Sequence, residues 1–168
     1  LDHTVAVCAI GIARSLAPSE VVTQTYFIDE EINLPFISIV TDPDNFFSDE
    51  KGIYVTGTRG TGGYCDNAIR NLKQDWERPV NIELYDMDGD LGFNQLAGVK
   101  IFGGCSRHRF PQKSLALFAR RAYGKGSFRY QLFLDKDIDS FESFVLRSSA
   151  DDQVLTLFRD ALSQTILK

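Results

Sequence analysis

The pattern of hydrophobic and polar residues predicts a chain built mainly from β-strands. Short runs rich in β-branched and aromatic residues recur along its length, separated by segments with Gly, Pro, Asn or Asp, which is typical of strands joined by turns. The pattern predicts strands at residues 5–13, 21–28, 34–40, 52–57, 80–84, 98–102, 115–120, 128–133 and 144–146. Residues 42–45 and the glycine-rich residues 57–63 are predicted to be a turn and a loop.

Strict alternation marks two of the strand regions as antiparallel. In residues 80–84 the side chains of Val80, Ile82 and Leu84 alternate with polar ones, which predicts a sheet with one buried face and one face in water. Residues 86–92 are predicted to turn this strand back into residues 98–102. The glycines of residues 124–127 predict a second hairpin, which joins residues 115–120 to residues 128–133.

Two segments have helical periodicity. Residues 66–76 predict a short helix with Asp66 as its N-cap. Residues 149–152 fit a capping box that opens a C-terminal amphipathic helix. Its apolar stripe, which we expect to pack on the sheet or on another part of the protein, consists of Val154, Leu157, Phe158, Ala161, Leu162 and Ile166. The predicted fold class is therefore α+β, mainly antiparallel β-sheet with a C-terminal amphipathic helix.

Composition and charge narrow the function classes. The 168 residues carry a net charge of −5, which disfavours nucleic-acid binding, and hydrophobic residues make up an ordinary 43%. No apolar run approaches the length of about 18 residues that a membrane span needs. The only methionine is Met87, so we expect that Leu1 is not a translation start and that both ends of the chain are cuts in a longer protein.

The cysteines do not follow a ligand or disulfide pattern. Cys8, Cys65 and Cys105 are odd in number, widely spaced and form no CxxC pair. We therefore expect neither a disulfide framework nor a zinc site. Cys8 lies in an apolar run and is predicted to be a small buried hydrophobe.

The most chemically distinctive segment is residues 103–113. A glycine pair that follows a predicted strand exposes backbone N–H groups, and several cationic or hydroxyl side chains follow within eleven residues. These features suit a phosphate, although a solvated basic loop explains them equally well. A nucleophilic pair of Cys105 and His108 lacks an orienting partner and is disfavoured.

The acidic residues 86–90 are a second candidate site. Their three alternate acids begin like a calcium loop, but the later ligand positions do not match, which favours a polar turn.

An ordered series of motifs gives the chain a family resemblance. The motifs are Leu34-Pro35-Phe36-Ile37-Ser38-Ile39-Val40-Thr41-Asp42-Pro43, Gly52-Ile53-Tyr54-Val55, Trp76-Glu77-Arg78-Pro79-Val80-Asn81-Ile82-Glu83-Leu84, Ala97-Gly98-Val99-Lys100-Ile101-Phe102-Gly103-Gly104-Cys105-Ser106-Arg107, Pro111-Gln112-Lys113-Ser114-Leu115, Phe144-Val145-Leu146-Arg147-Ser148 and Phe158-Arg159-Asp160-Ala161-Leu162. Residues 34–168 resemble the amino-terminal part of the CotH family, the spore-coat-protein-H-like atypical kinases of bacteria. Residues 1–28 resemble the end of a chitobiase-type carboxyl-terminal β-sandwich, and residues 29–33 form the junction.

The resemblance implies a protein kinase that uses ATP and a divalent metal to phosphorylate Ser or Thr. The strands would belong to its smaller, nucleotide-covering lobe. Gly103, Gly104, Ser106 and Arg107 would lie in a phosphate-facing loop, and Lys113 would contact phosphate. The metal-binding and catalytic acids of the family lie beyond this chain, so no catalytic or metal-binding residue is assigned within it.

Two functions follow as expectations. In the first, the chain is an inactive fragment of a secreted or envelope-associated bacterial kinase, and its partners are the C-terminal half of the same protein and a protein substrate or other surface component. In the second, the protein is a non-catalytic adhesion or carbohydrate-associated module. Gln112 and residues 149–151, where the family more often has a basic residue and Gly-Gly-Asn, favour the second.

Overall fold

The computed structural model describes residues 2–63, 65–152 and 154–166, and most of its regular structure is antiparallel β-sheet. The strands are β1 (Val5–Ala9), β2 (Val22–Tyr26), β3 (Phe36–Val40), β4 (Arg78–Tyr85), β5 (Leu91–Phe102), β6 (Ser114–Phe118), β7 (Phe128–Arg129), β8 (Ser140–Phe141) and β9 (Ser143–Leu146). The helices are α1 (Pro43–Phe47), α2 (Ser106–Arg109) and α3 (Arg159–Ile166), with 3-10 turns at Asn71–Lys73 and Ala150–Asp152. None of these described helices has the length and apolarity needed to cross a bilayer.

A five-stranded sheet in the order β3-β4-β5-β6-β9 holds the core, and every neighbouring pair is antiparallel. The predicted alternation of β4 and the turn after it are confirmed. On one face, buried side chains from adjacent strands pack together because alternate residues of a strand point to the same side. This core includes Val80, Ile82, Leu84, Phe93, Ala97, Val99, Ile101, Leu115, Leu117 and Phe128.

The opposite face of β4 is buried, so the prediction of a wet face is wrong. Asn81 and Glu83 lie on that face and are 8% and 0% exposed. The β1–β2 hairpin covers Glu83, whose Oε2 accepts the backbone N–H of Thr25 at 2.9 Å. Its Oε1 accepts from Asn94 Nδ2 at 2.8 Å. Both carboxylate oxygens are therefore satisfied by neutral donors in place of water.

Further hydrogen bonds hold the hairpin on the sheet. Gln24 Nε2 donates to the Tyr85 hydroxyl at 2.6 Å, and the Thr25 hydroxyl donates to Ser38 Oγ at 2.7 Å. Burial, followed by the nearby Glu83 carboxylate, raises the pKa of Tyr85 to about 12. Residues 1–28 are thus joined to residues 34–168 by polar contacts across the sheet face.

Two local predictions before β4 are wrong because backbone groups find other partners. Residues 42–45 begin α1 instead of a turn, since the Asp42 side chain accepts the Asp44 N–H and Pro43 occupies the first helical turn. Residues 52–57 form no strand. The backbone N–H of Ile53 donates to Asn45 O at 3.0 Å, which leaves Ile53 in the core without a strand partner.

The predicted helix at residues 66–76 is reduced to the 3-10 turn Asn71–Lys73. Asn71 is fully buried, and its side chain bonds to the glycine-rich loop and to the segment that follows α1 in place of a helical hydrogen-bond ladder. Its Oδ1 accepts the Arg59 N–H at 2.8 Å, while its Nδ2 donates to Asp49 O at 2.8 Å. A side chain that competes for backbone groups in this way disfavours a helix.

The second predicted hairpin is also wrong. β6 pairs with β5 on one edge and with β9 on the other, so neither edge is left for β7. β7 instead pairs with β8 through Phe128↔Phe141 and Arg129↔Ser140. The final short strand predicted at residues 144–146 is confirmed as part of β9.

The C-terminal helix is present but starts later than predicted and is not buried. Gln153 lies outside the described residues, and a left-handed Leu157 (φ 65°) precedes α3. The Asp152 carboxylate accepts from the Thr156 N–H and the Arg159 N–H, which redirects the chain before the helix. No residue of α3 is buried, so its apolar stripe does not pack on the sheet.

Candidate functional site

The glycine pair after β5 forms a tight connection to α2. Gly103 has φ of +105°, a left-handed conformation that glycine adopts without the cost of a Cβ. A Cβ there would also lie 2.7 Å from Ser106 Oγ. The chain therefore leaves the sheet sharply and presents the cationic residues of α2 beside the end of β5.

These residues line a pocket of about 160 Å³, which we call the basic pocket. Its lining consists of Lys73, Gly103, Gly104, Arg107 and His108. Lys73 comes from the 3-10 turn and the others from the β5–β6 connection, so the fold joins two segments 30 residues or more apart in sequence. Because a liquid water occupies about 30 Å³, the volume accommodates one phosphate-sized anion.

Asp66 lies beside the basic pocket and balances part of its charge. Its carboxylate accepts a hydrogen bond from Lys73 Nζ, which chiefly lowers the pKa of Asp66 to about 2. Arg70 and His108 approach the same carboxylate at 3.2 and 3.5 Å. Lys73 also donates to the Ala68 carbonyl at 2.9 Å, so its ammonium is fully engaged by the loop.

Arg107 is a cation of the basic pocket that has N–H donors without a partner among the described residues. Its Nε donates to the Gly103 carbonyl and Nη1 to the Leu72 carbonyl at 3.4 Å, while Nη2 makes no hydrogen bond with a described residue. Burial lowers the pKa of the Arg107 guanidinium, yet a guanidinium stays charged at any physiological pH. A partly desolvated arginine with free N–H groups suits an oxyanion ligand.

A disulfide joins the two segments that build the basic pocket, which overturns the expectation that no disulfide would form. Cys65 and Cys105 are bonded, with Cα atoms 5.6 Å apart and a sequence separation of 40. Cys65 precedes Asp66, and Cys105 precedes Ser106. The bond therefore fixes the loop that contains Asp66 against α2. It also removes Cys105 as a nucleophile.

Cys8 does not have the buried position predicted for it. It is a free and exposed thiol on β1. β1 pairs only with β2, so most of its side chains remain open to solvent even where they are apolar. Burial among the described residues therefore does not explain the apolar side chains of β1.

The structure gathers three of the five predicted site residues. Gly103, Gly104 and Arg107 line the basic pocket, and Ser106 begins α2 behind Gly103. Lys113 is not part of the lining. Its Nζ donates to the Phe110 carbonyl at 2.8 Å and lies 5.3 Å from the centre of the Tyr54 ring.

Lys113 nevertheless has an unusual environment for a lysine. Burial lowers the pKa of its ammonium, whose described hydrogen-bond partners are the carbonyls of Phe110 and Pro111. Its backbone N–H donates to the Tyr54 hydroxyl at 3.0 Å. Lys113 therefore anchors the β5–β6 connection beside the basic pocket.

Sequence reasoning missed Lys73 and Asp66 as neighbours of this pocket. Both lie in the segment that periodicity predicts to be a helix, and the disulfide together with the Arg107–Leu72 and His108–Asp66 contacts holds that segment beside α2. The two cysteines beside glycine-rich loops were the available signal. Within the described residues, no group of three or more His, Cys, Asp or Glu side chains is placed to hold a metal ion.

Comparisons with known proteins do not assign the chain to a family. No family model, no curated protein and no solved structure matches it. Assignment of a function therefore depends on the chemistry of the basic pocket.

Proposed function

We propose that the intact protein is a kinase-like phosphotransferase of the CotH type and that this chain supplies its nucleotide-covering lobe. The basic pocket would hold phosphate groups of ATP. The observation that carries this proposal is the position of Arg107. Its Nη2 has no hydrogen-bond partner among the described residues, and Arg107 lines a pocket beside a glycine turn at the end of a five-stranded antiparallel sheet.

The chemistry of phosphoryl transfer supports this choice. Such transfers depend mainly on positioning and on stabilising the charge of the phosphate oxygens. Arg107 supplies a fixed positive charge, and His108 supplies a ring nitrogen that lies 3.5 Å from the Asp66 carboxylate. Because Gly103 and Gly104 have no Cβ, a phosphate has room to approach the backbone N–H groups near them.

Lys113 keeps a proposed role that differs from that of Arg107. The resemblance assigns phosphate contact to Lys113, and its ammonium has only carbonyl partners that an anion could replace. The resemblance assigns the catalytic and metal-binding acids of the family to none of the residues of this chain. We therefore expect the chain to bind nucleotide without transferring phosphate.

The disulfide supports a location outside the cytosol. Structural disulfides persist in oxidising compartments and are rare in the reducing cytosol. The Cys65–Cys105 bond joins two parts of the proposed site, so its formation matters to function. We propose a secreted or cell-envelope protein, whose partner is a protein substrate or another surface component.

A nucleotide titration with matched variants tests the proposal. We expect the chain to bind ATP with magnesium and Arg107→Ala to weaken that affinity about tenfold, the usual effect of losing a charged hydrogen bond. Arg109→Ala is the matched control, because Arg109 is exposed on the same helix and does not line the pocket. Lys113→Ala is measured beside them. Equal affinity of wild type and Arg107→Ala, or no ATP binding at all, contradicts the proposal.

A further inference from the structure

A second cation-rich cavity lies near the opposite end of β6 from the basic pocket. It has a volume of about 440 Å³ and lies between the first half of β5 and the loop that leads into β7, so we call it the β5–β7 cavity. The polar residues that line it are Gln95, Lys125, Ser127 and Arg129. No carboxylate is among the lining residues, in a chain whose net charge is −5.

Gln95 occupies a place in β5 where an apolar residue is expected. Along β5 the residues on either side of it in the core-facing alternation are Phe93 and Ala97, which both belong to the hydrophobic core. Gln95 is 7% exposed, and its Nε2 has no hydrogen-bond partner within the part of the chain that the structure describes. Burying an amide without an acceptor costs folding free energy, so packing of the core does not explain the presence of Gln95.

The backbone around the cavity is held firmly. Phe128 is fully buried and packs against Phe93 and Phe144, with ring centroids 5.4 and 4.9 Å away. Its neighbours Ser127 and Arg129 line the cavity from either side of this anchor. Pairing of Arg129 with Ser140 between β7 and β8 fixes the strand further.

The two cations of the cavity are not used by the fold. Lys125 and Arg129 form no ion pair with any residue that the structure describes, whereas Arg120 nearby is bound to Glu77 at 2.8 Å. Glu142 lines the neighbouring cavity, which Arg129 also borders, and it does not line this one. Gln95, whose buried amide nitrogen has no acceptor among the described residues, therefore lines the same cavity as two cations that form no ion pair with those residues.

We propose that the β5–β7 cavity is a binding site for a phosphate monoester group. Arginine presents parallel N–H groups that match a phosphate, lysine adds a point charge, and Gln95 and Ser127 add neutral donors. The free Nε2 of Gln95 would gain its missing acceptor from a phosphate oxygen. This site is separate from the basic pocket and does not depend on the function proposed for that pocket.

An NMR titration of the ¹⁵N-labelled chain with methyl phosphate tests this site. We expect saturable shifts of the Gln95 side-chain amide and of the backbone amides at residues 127 and 129. Lys125→Ala and Arg129→Ala should each weaken binding about tenfold, as expected for the loss of a charged hydrogen bond. Acetate at the same ionic strength should bind more weakly, because a planar carboxylate cannot engage the separate donors together. Equal binding of acetate overturns the phosphate assignment.

Variants of Gln95 separate binding from folding. Gln95→Leu removes the unpaired amide from the core, so we expect an unchanged or higher melting temperature together with weaker methyl phosphate binding. Arg14→Ala, which removes an exposed cation of the β1–β2 hairpin, should leave this binding unchanged. The proposal is overturned by the absence of saturable shifts at residues 95, 127 and 129, or by Arg14→Ala weakening binding as much as Arg129→Ala. Should Gln95→Leu fail to fold, the two cation variants still decide the outcome.

Discussion

Loss of the Cys65–Cys105 disulfide is expected to destabilise the chain strongly. The bond closes a loop across a sequence separation of 40 residues, and this closure limits the freedom of the unfolded chain. The entropy relation for a loop of that length gives about 4 kcal/mol of stabilisation at 25 °C. With a urea dependence of about 2 kcal/mol per molar, Cys105→Ser should lower the unfolding midpoint by about 2 M.

Urea unfolding followed by circular dichroism measures this effect. Cys65→Ser and the double variant should match Cys105→Ser, because all three remove the same bond. A thiol reductant should shift the wild-type midpoint toward that of the variants and leave theirs unchanged. Cys8→Ser is the control, since Cys8 is free and exposed, and its midpoint should equal that of wild type. A wild-type midpoint that neither Cys105→Ser nor the reductant lowers refutes the reasoning.

Three further predictions concern the core, the buried carboxylate and pH. Phe128→Ala should cost about 3–5 kcal/mol in urea unfolding, because it empties a fully buried aromatic site. Glu83→Ala should cost about 3 kcal/mol, since the Thr25 N–H and the Asn94 amide lose their acceptor, and a midpoint within error of wild type would contradict the account of the hairpin. Lys73 lowers the folded pKa of Asp66 to about 2. The Asp66 carboxylate should therefore stabilise the fold above its unfolded pKa of about 4, and this stabilisation should disappear as pH falls from 4 to 2. Urea midpoints measured across that range should show this loss in wild type. Asp66→Asn should abolish this pH dependence.

Much of the sheet could be predicted from the sequence because its signal is local. The alternation of Val80, Ile82 and Leu84 requires only that successive side chains of a strand point to opposite faces. The acidic turn after β4 is equally local, since Asp86 Oδ1 accepts the N–H groups of Asp88 and Asp90. Such features depend on a few neighbouring residues, and the structure has them where the pattern predicts them.

The predictions that failed concern features that depend on contacts between residues distant in sequence. Alternation predicts that Glu83 faces water, and only the β1–β2 hairpin, 58 residues away at Thr25, turns that face into an interior. The segment at residues 66–76 has helical periodicity, but the buried amide of Asn71 accepts the Arg59 N–H and so holds the segment to the glycine-rich loop. Cysteine spacing likewise could not reveal the disulfide, since the bond depends on how that loop folds back on α2.

The same distinction holds for the candidate site. Gly103, Gly104 and Arg107 were found from the sequence because they are close together in it and differ from their acidic surroundings. Lys73 joins them through tertiary structure alone. Lys113 is near in sequence yet turns toward Tyr54, because the chain reverses between α2 and β6.

Localisation of bound nucleotide by NMR tests the central claim most directly. Titration of the ¹⁵N-labelled chain with ATP carrying Mn²⁺ broadens the amide signals closest to the bound phosphates, and Mn²⁺ alone controls for metal bound to acidic turns. We predict broadening centred on residues 103, 104, 107 and 108, which Arg107→Ala should weaken and Arg109→Ala should preserve. Broadening centred elsewhere, or identical with Mn²⁺ alone, contradicts a phosphate site in the basic pocket.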